Sequence, residues 1–239
     1  MSFWGKNFAS NAYFLKNWYT IESTPKNKFT SDNKMAGNKR IGPHPSHIIS
    51  IIYGTLLGDS YLEKRINNIR ISFEQENNNM EYLMWLWNTL SKSGYCTTVK
   101  PKILIKLGSG GKIRRYYKLN TFTYSSLNFL YDEWYRDGIK KRVPLNIEKY
   151  LTPLALACWI MDDGTRVGNT LKFCTNEFLK EDILILSNSL KSRYDLNTTI
   201  QSAGVENQWV LYVKTESMSK LVEVVKPYIV KSMSYKLGL

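Results

Sequence analysis

The sequence predicts an α+β protein in which one αββαββ-type plan is used twice. Three observations carry that expectation. Apolar helices open near Ser46 and Pro153, and each runs into an aspartate-bearing turn, Gly58-Asp59 in one copy and Asp162-Asp163-Gly164 in the other. Each is followed by an alternating strand and then by an amphipathic helix, with the similar endings LSKSGY and LKSRY. Hydrophobic residues are 43% of the 239 and charged residues 22%, a balance that supports a packed core.

The elements follow in order. Residues 1–46 show no sustained period and are rich in Asn, Ser, Lys and Thr, so they read as a basic N-terminal extension. Phe3, Trp4, Phe8, Tyr13, Phe14, Trp18 and Tyr19 give that arm apolar groups able to dock. The first half spans 47–150. Ser46 is expected to cap its first helix, which carries Ile48, Ile49, Ile52, Tyr53 and Leu56. Ile69, Ile71 and Phe73 alternate with Arg70, Ser72 and Glu74, the period of a half-buried strand. Leu83, Leu86, Trp87 and Leu90 line one face of the next helix. The second half spans 151–239. Thr152 is its N-cap with Pro153 at the first helical position, ahead of Leu154, Leu156, Ala157, Ile160 and Met161. Leu171 and Phe173 then alternate with Lys172 and Cys174, and Leu179, Ile183, Leu186 and Leu190 give the matching helix its apolar face.

Charge narrows the partner. Lysine and arginine total 33 against 20 acids, a formal net charge of +13, which suits a polyanion. The excess is uneven: net +5 in 1–46, +7 in 47–150 and +1 in 151–239. The most apolar stretches, 48–57 and 154–161, are far shorter than the roughly 20 residues that span a bilayer. Cys96, Cys158 and Cys174 show no CxxC spacing, which argues against a disulfide framework or structural zinc. His44 and His47 read as loop residues. No Walker loop or GxGxxG fingerprint occurs, and the arm has neither the apolar run of a signal peptide nor the arginines of a transit peptide.

The strongest nucleic-acid signal is a hairpin over 99–119. Lys100, Lys102 and Lys106 share one parity, as do Lys112, Arg114 and Lys118 after the Gly108-Ser109-Gly110-Gly111 turn. Val99, Ile103, Ile105, Leu107, Ile113, Tyr117 and Leu119 occupy the other parity and are expected in the core. The alternative is a solvated sheet face, which normally mixes signs. A two-stranded ribbon fits the major groove, where such cations address phosphates or guanine edges. The matching second-half hairpin, with Asn197, Thr199, Gln201, Gln208, Tyr212 and Lys214, is polar and nearly uncharged. Six or seven phosphate contacts would give a log–log salt slope of about −6.

Asp59 and Asp163 stand at helix ends where the dipole is already negative, a poor place for an acid. If the two helices pack side by side, with Gly54 and Gly58 set against Cys158, the carboxylates converge and repel. A divalent cation, Mg²⁺ above all, would relieve that repulsion.

The segments Ile52-Tyr53-Gly54-Thr55-Leu56-Leu57-Gly58-Asp59-Ser60 and Leu156-Ala157-Cys158-Trp159-Ile160-Met161-Asp162-Asp163-Gly164 resemble the paired motifs of single-chain LAGLIDADG homing endonucleases of the organellar group I intron type. The resemblance runs from His47 to the end and leaves out the arm. It implies two αββαββα halves with the motif helices at their interface and two saddle-shaped antiparallel sheets on double-stranded DNA. It implies that Asp59 and Asp163 are catalytic metal ligands, with the carbonyls of Gly58 and Asp162 as further donors. It places a lysine near each centre: Lys141, favoured over Lys140, and Lys236. The DNA contacts it suggests are Arg70, Lys100, Lys102, Lys106, Lys112, Arg114, Lys118, Lys172, Gln201 and Lys214. The activity implied is Mg²⁺-dependent double-strand cleavage that leaves 3′ overhangs, by a monomer of mitochondrial origin. The competing reading is an intron-RNA maturase on the same scaffold.

Overall fold

The computed structural model describes residues 35–138 and 140–239. The aromatic residues of the arm lie outside these. The first half contains helix α1 (Ser46–Leu56), strands β1 (Tyr61–Arg65) and β2 (Asn68–Glu76), helix α2 (Met80–Lys92), strands β3 (Ile103–Leu107) and β4 (Ile113–Asn120), and helix α3 (Asn128–Trp134). A one-turn helix α4 (Ile147–Tyr150) leads into the second half. That half contains α5 (Pro153–Asp163), β5 (Gly164–Val167), β6 (Thr170–Phe173), α6 (Lys180–Tyr194), β7 (Thr198–Ser202), β8 (Trp209–Val213) and α7 (Thr215–Val225). A 3-10 segment, Lys231–Leu237, follows. The strand orders β1-β2-β4-β3 and β5-β6-β8-β7 are the same and wholly antiparallel, so one αββαββα plan is built twice.

α1 and α5 lie at the centre. Ile48, Ile51, Ile52, Tyr53 and Leu56 of α1 are fully buried, as are all residues from Ala155 to Met161 in α5. Helices buried on every side must be apolar all round, which is why neither shows a polar stripe. Tyr53 stacks on Tyr150 at 4.0 Å between ring centroids, and Trp159 stacks on Phe173 at 3.8 Å, so each motif helix also locks onto its flanking elements.

Several expectations change. Thr152 caps α5 as predicted, its Oγ1 accepting from the Ala155 amide at 3.1 Å. Ser46 is not a cap: α1 begins on it after Pro45, with no side-chain capping bond. β1 and β5 escape the sequence reading because each buries one residue, Leu62 and Gly164, too few to show a period. Leu179 stands before α6 in extended backbone and is exposed rather than in the core.

The hairpin departs furthest from expectation. Ile103, Ile105, Leu107 and Ile113 are 45–78% exposed and Val99 is exposed too, while Leu119 is buried and Tyr117 half-buried. Alternation sorted the two faces correctly, but β3 and the start of β4 project past the helices that cover the rest of the sheet. Parity decides which way a side chain points; only packing decides whether anything lies there.

Candidate active site

The site forms where α1 and α5 meet. Their approach depends on glycine: a Cβ at Gly54 would lie 2.2 Å from the Ala155 carbonyl oxygen, and one at Gly58 would lie 2.3 Å from Asp162 Cβ. The glycines thus face Ala155 and Asp162, not Cys158 as the spacing suggested. Asp59 sits in the turn after α1, and Asp163 is the last residue of α5.

Gln75 ties the two ends together. Its Nε2 donates to Asp59 Oδ2 at 2.9 Å and to Asp162 Oδ1 at 2.8 Å, while Asn79 Nδ2 donates to Gln75 Oε1 at 2.8 Å and sets the amide's orientation. Sequence reasoning missed this residue, although a signal was present. Gln75 shares the core parity of Ile69, Ile71 and Phe73 and is buried, and a buried amide at a core position calls for partners. Glu177 was missed as well; its carboxylate lies 3.8 Å from Lys141 Nζ.

The two lysines arrive from separate segments. Lys141 Nζ donates to the Gly58 carbonyl at 2.7 Å and to the Ser60 carbonyl at 3.3 Å. Lys236 Nζ donates to the Met161 carbonyl at 2.6 Å and the Asp162 carbonyl at 3.0 Å. Each ammonium therefore holds the end of one motif helix. The carbonyls of Gly58 and Asp162, expected as metal donors, are the ones the lysines occupy. Lys140, in contrast, points to solvent.

The electrostatics are those of carboxylates crowded at the half-buried meeting point of two helix ends. Burial, then the charge of Asp59, pushes the Asp163 carboxyl up to about 7 against the pull of Lys141 and Lys236. Burial also raises Asp59, partly offset by the Gln75 hydrogen bond and the two lysines. Asp162 is raised well above the carboxylate range, first by burial and then by Asp59 and Asp163, and its Oδ2 is buried without a hydrogen-bond partner. Burial depresses both lysines, with the carboxylates opposing.

Among the described residues no three His, Cys, Asp or Glu side chains form a ready-made metal cage. Two carboxylates beside carbonyl oxygens and an orphaned Asp162 oxygen are instead an all-oxygen donor set. Mg²⁺ is usually held this way, by one or two carboxylates with water and substrate phosphate completing the shell.

On the first sheet, Arg70, Lys106, Arg114 and Lys118 share one face, as parity predicted. That face is not all-cationic. Arg70 pairs with Glu63 at 2.7 Å, Lys118 with Glu74 at 2.9 Å, Lys106 with Glu74 at 3.5 Å, and Arg114 with Glu76. The acids come from β1 and β2, neighbours that the hairpin's own sequence does not contain. Lys100 and Lys102 precede β3 instead of lying on it, and Lys100 sits over the Trp87 ring. Lys112 follows the turn, exposed. On the second sheet, Lys172 and Gln201 share one face with Tyr212, and Lys214 lies just past β8, ahead of α7. No described helix is long and apolar enough to cross a membrane.

Comparison with known proteins gives the family and the fold. The family model described as "LAGLIDADG DNA endonuclease family" matches residues 49–221. A Saccharomyces cerevisiae protein named "Cytochrome b mRNA maturase bI2" is 45% identical over 95% of this chain, which spans 54% of that protein. A Dictyostelium discoideum protein named "Intron-encoded endonuclease ai4" is 34% identical over 64% of this chain and 99% of its own length. Among solved structures, "The homing endonuclease I-WcaI bound to its DNA recognition sequence" superposes with a TM-score of 0.75 at 24% identity, covering 91% of this chain and 95% of that one, a likeness of fold.

Proposed function

The chain belongs to the LAGLIDADG DNA endonuclease family, and from that premise we propose that it is a site-specific, metal-dependent DNA endonuclease. It would hydrolyse both strands of a long, asymmetric target and leave 3′ overhangs. One observation carries the reading: Asp59 and Asp163 converge at the joined ends of α1 and α5, both within the influence of Lys141 and Lys236.

In this reading Asp59 and Asp163 would hold the divalent cations, Mg²⁺ being the natural choice, with the Gly58 and Asp162 carbonyls as added donors through the lone pair that each lysine leaves free. When bound, the metal supplies an activated water and stabilises the leaving 3′ oxygen. The remaining work falls to the chain itself. Gln75 fixes the Asp59 carboxylate. Lys141 and Lys236 offset the charge that develops on the phosphate at each end of the site. The two sheets read the target, the first with Arg70, Lys106, Arg114 and Lys118, the second with Lys172, Gln201 and Lys214. Lys100, Lys102 and Lys112 contact phosphates beyond the sheet. Both motifs lie in one chain, so a monomer suffices. The cytochrome b in a relative's name points to an organellar, mitochondrial setting.

A second reading has its own support. The relative that is 45% identical bears the name of an mRNA maturase, so the same scaffold would also bind its intron RNA.

The test is cleavage of intronless exon-junction DNA with Mg²⁺, beside Asp59→Asn and Asp163→Asn variants. A double-strand break lost by about 1,000-fold or more in either variant is expected for a metal-site ligand. Tight binding without cutting by the unmutated protein removes the nuclease reading, and intron splicing stimulated by that same protein would establish the maturase in its place.

A further inference from the structure

Lys141 is held in place by a device that begins in the other half. Asp182, in the first turn of α6, is wholly buried and faces two arginines of the segment after α3. Arg136 Nη2 donates to its Oδ1 at 3.0 Å, and Arg142 donates through Nε to Oδ2 at 2.6 Å and through Nη2 to Oδ1 at 3.3 Å. The arginines also brace the segment itself. Arg136 Nη1 donates to the Val143 carbonyl at 2.7 Å, and the Arg142 amide donates to the Trp134 carbonyl at 2.7 Å. Val143 and Trp134 are fully buried. Lys141 therefore stands one residue from a fixed point, with its Nζ on the Gly58 carbonyl.

A buried ion pair adds little stability compared with a well-packed apolar pair, because desolvation cancels most of the attraction. What a two-oxygen carboxylate gripping planar guanidinium groups does supply is orientation. Here it orients a loop that carries one residue of the reaction centre. Lys236 reaches its carbonyls from the 3-10 segment Lys231–Leu237, and among the described residues it makes no hydrogen bond or ion pair with Asp182, Arg136 or Arg142.

We propose that Asp182 is a positioning residue for Lys141: through Arg136 and Arg142, the second half sets the lysine that holds the Gly58 and Ser60 carbonyls at the end of α1. This rests on the nuclease reading of that site. Lys236 holds the end of α5 from a different segment, so loosening the cluster releases the lysine at the end of α1 and leaves the one at the end of α5.

The experiment combines kinetics with amine labelling. Asp182→Asn keeps the shape and removes the charge, and Arg142→Lys keeps the charge and removes the fork. Supercoiled plasmid bearing the target separates first-strand from second-strand cleavage. Either variant is expected to cut one strand about 100-fold more slowly, the scale set by a misplacement of about 1 Å, and to accumulate nicked circles with KM little changed. Brief acetylation of the metal-free proteins, read by mass spectrometry, is expected to label Lys141 in the variants and to leave Lys236 protected. Equal slowing of both strands, equal labelling of both lysines, a Lys141 that stays protected, or a labelled Lys141 without strand bias each overturns the proposal. If the unmutated protein does not cut, the nuclease reading fails, and the selectivity of labelling alone decides whether Asp182 positions Lys141.

Discussion

Gly58 packs so closely on Asp162 that no side chain fits between them: a Cβ would stand 2.3 Å from Asp162 Cβ. Four residues earlier, a Cβ on Gly54 would meet the Ala155 carbonyl oxygen at 2.2 Å. Backbone cannot move aside as the end of a flexible side chain can, so Gly54→Ala must force α1 and α5 apart. Overpacking of this kind is expected to cost about 3 kcal/mol. Gly58→Ala should disturb cleavage more than stability, because it displaces the turn that carries Asp59. Urea unfolding and cleavage rates for the two variants check both statements; a Gly54→Ala protein as stable as the parent would contradict the close packing.

Metal should act on stability as well as on cleavage. Half-buried Asp162 and Asp163 crowd against the more exposed Asp59; desolvation raises all three carboxyls, and the charge of Asp59 raises Asp162 and Asp163 further. Mg²⁺ or Mn²⁺ is therefore expected to raise the melting temperature of the unmutated protein at pH 8. Asp163→Asn should stabilise the metal-free protein by about 1–3 kcal/mol, since it removes a charge that is costly to bury, and should lose the response to metal. Thermal melts with and without chelator test this. A metal response that survives in Asp163→Asn would place the ion elsewhere.

The paired face of the first sheet revises the salt dependence. A lysine already matched by a glutamate releases no counterion when it meets a phosphate, so Lys106, Arg114 and Lys118 count for less than their number suggests. The log–log slope for DNA binding should lie near −3 or −4, shallower than the −6 expected from an unpaired hairpin. Glu74→Gln frees Lys106 and leaves Lys118 only its longer pairing with Glu63 at 3.7 Å, and should steepen the slope while strengthening binding to unrelated DNA. Titrations at several salt concentrations measure both effects. A parent slope near −6 would mean that the glutamates swing away when DNA binds.

His44 supplies a pH response away from the centre. It is half-buried, with Nδ1 2.6 Å from Tyr95 Oη and Nε2 2.9 Å from Ser126 Oγ, and burial lowers its pKa from the usual 6.5. A histidine kept neutral by the fold gives its full contribution above pH 6.5. That contribution is lost as pH falls and the unfolded chain takes up the proton first. Stability should therefore fall as pH drops below about 6.5, and His44→Gln should flatten the fall. With two histidines in the chain, NMR titration of the ring protons is direct, and a His44 midpoint at or above 6.5 would refute the assignment.

Much of this protein is legible in its sequence. Periodicity and end signals gave the duplicated plan, since buried helices and half-buried strands leave a repeating trace in residue type. The acids at the helix ends and the lysines Lys141 and Lys236 follow from motif likeness, and the fold brings all four to one place. Gln75 was visible only as a polar residue in an apolar register, which shows that something is satisfied there but not by what.

Tertiary structure decided the rest, and for one physical reason. A sequence fixes the chemistry and direction of each side chain, whereas charge compensation and burial depend on neighbours brought from far along the chain. The hairpin's own residues are cationic, yet Glu63, Glu74 and Glu76 reach them across the sheet. Its apolar parity is real, yet nothing described covers Ile105 or Leu107. Asp182 is an unremarkable acid in the first turn of a helix until Arg136 and Arg142 close on it from the other half, and it is that contact which puts Lys141 at the end of α1.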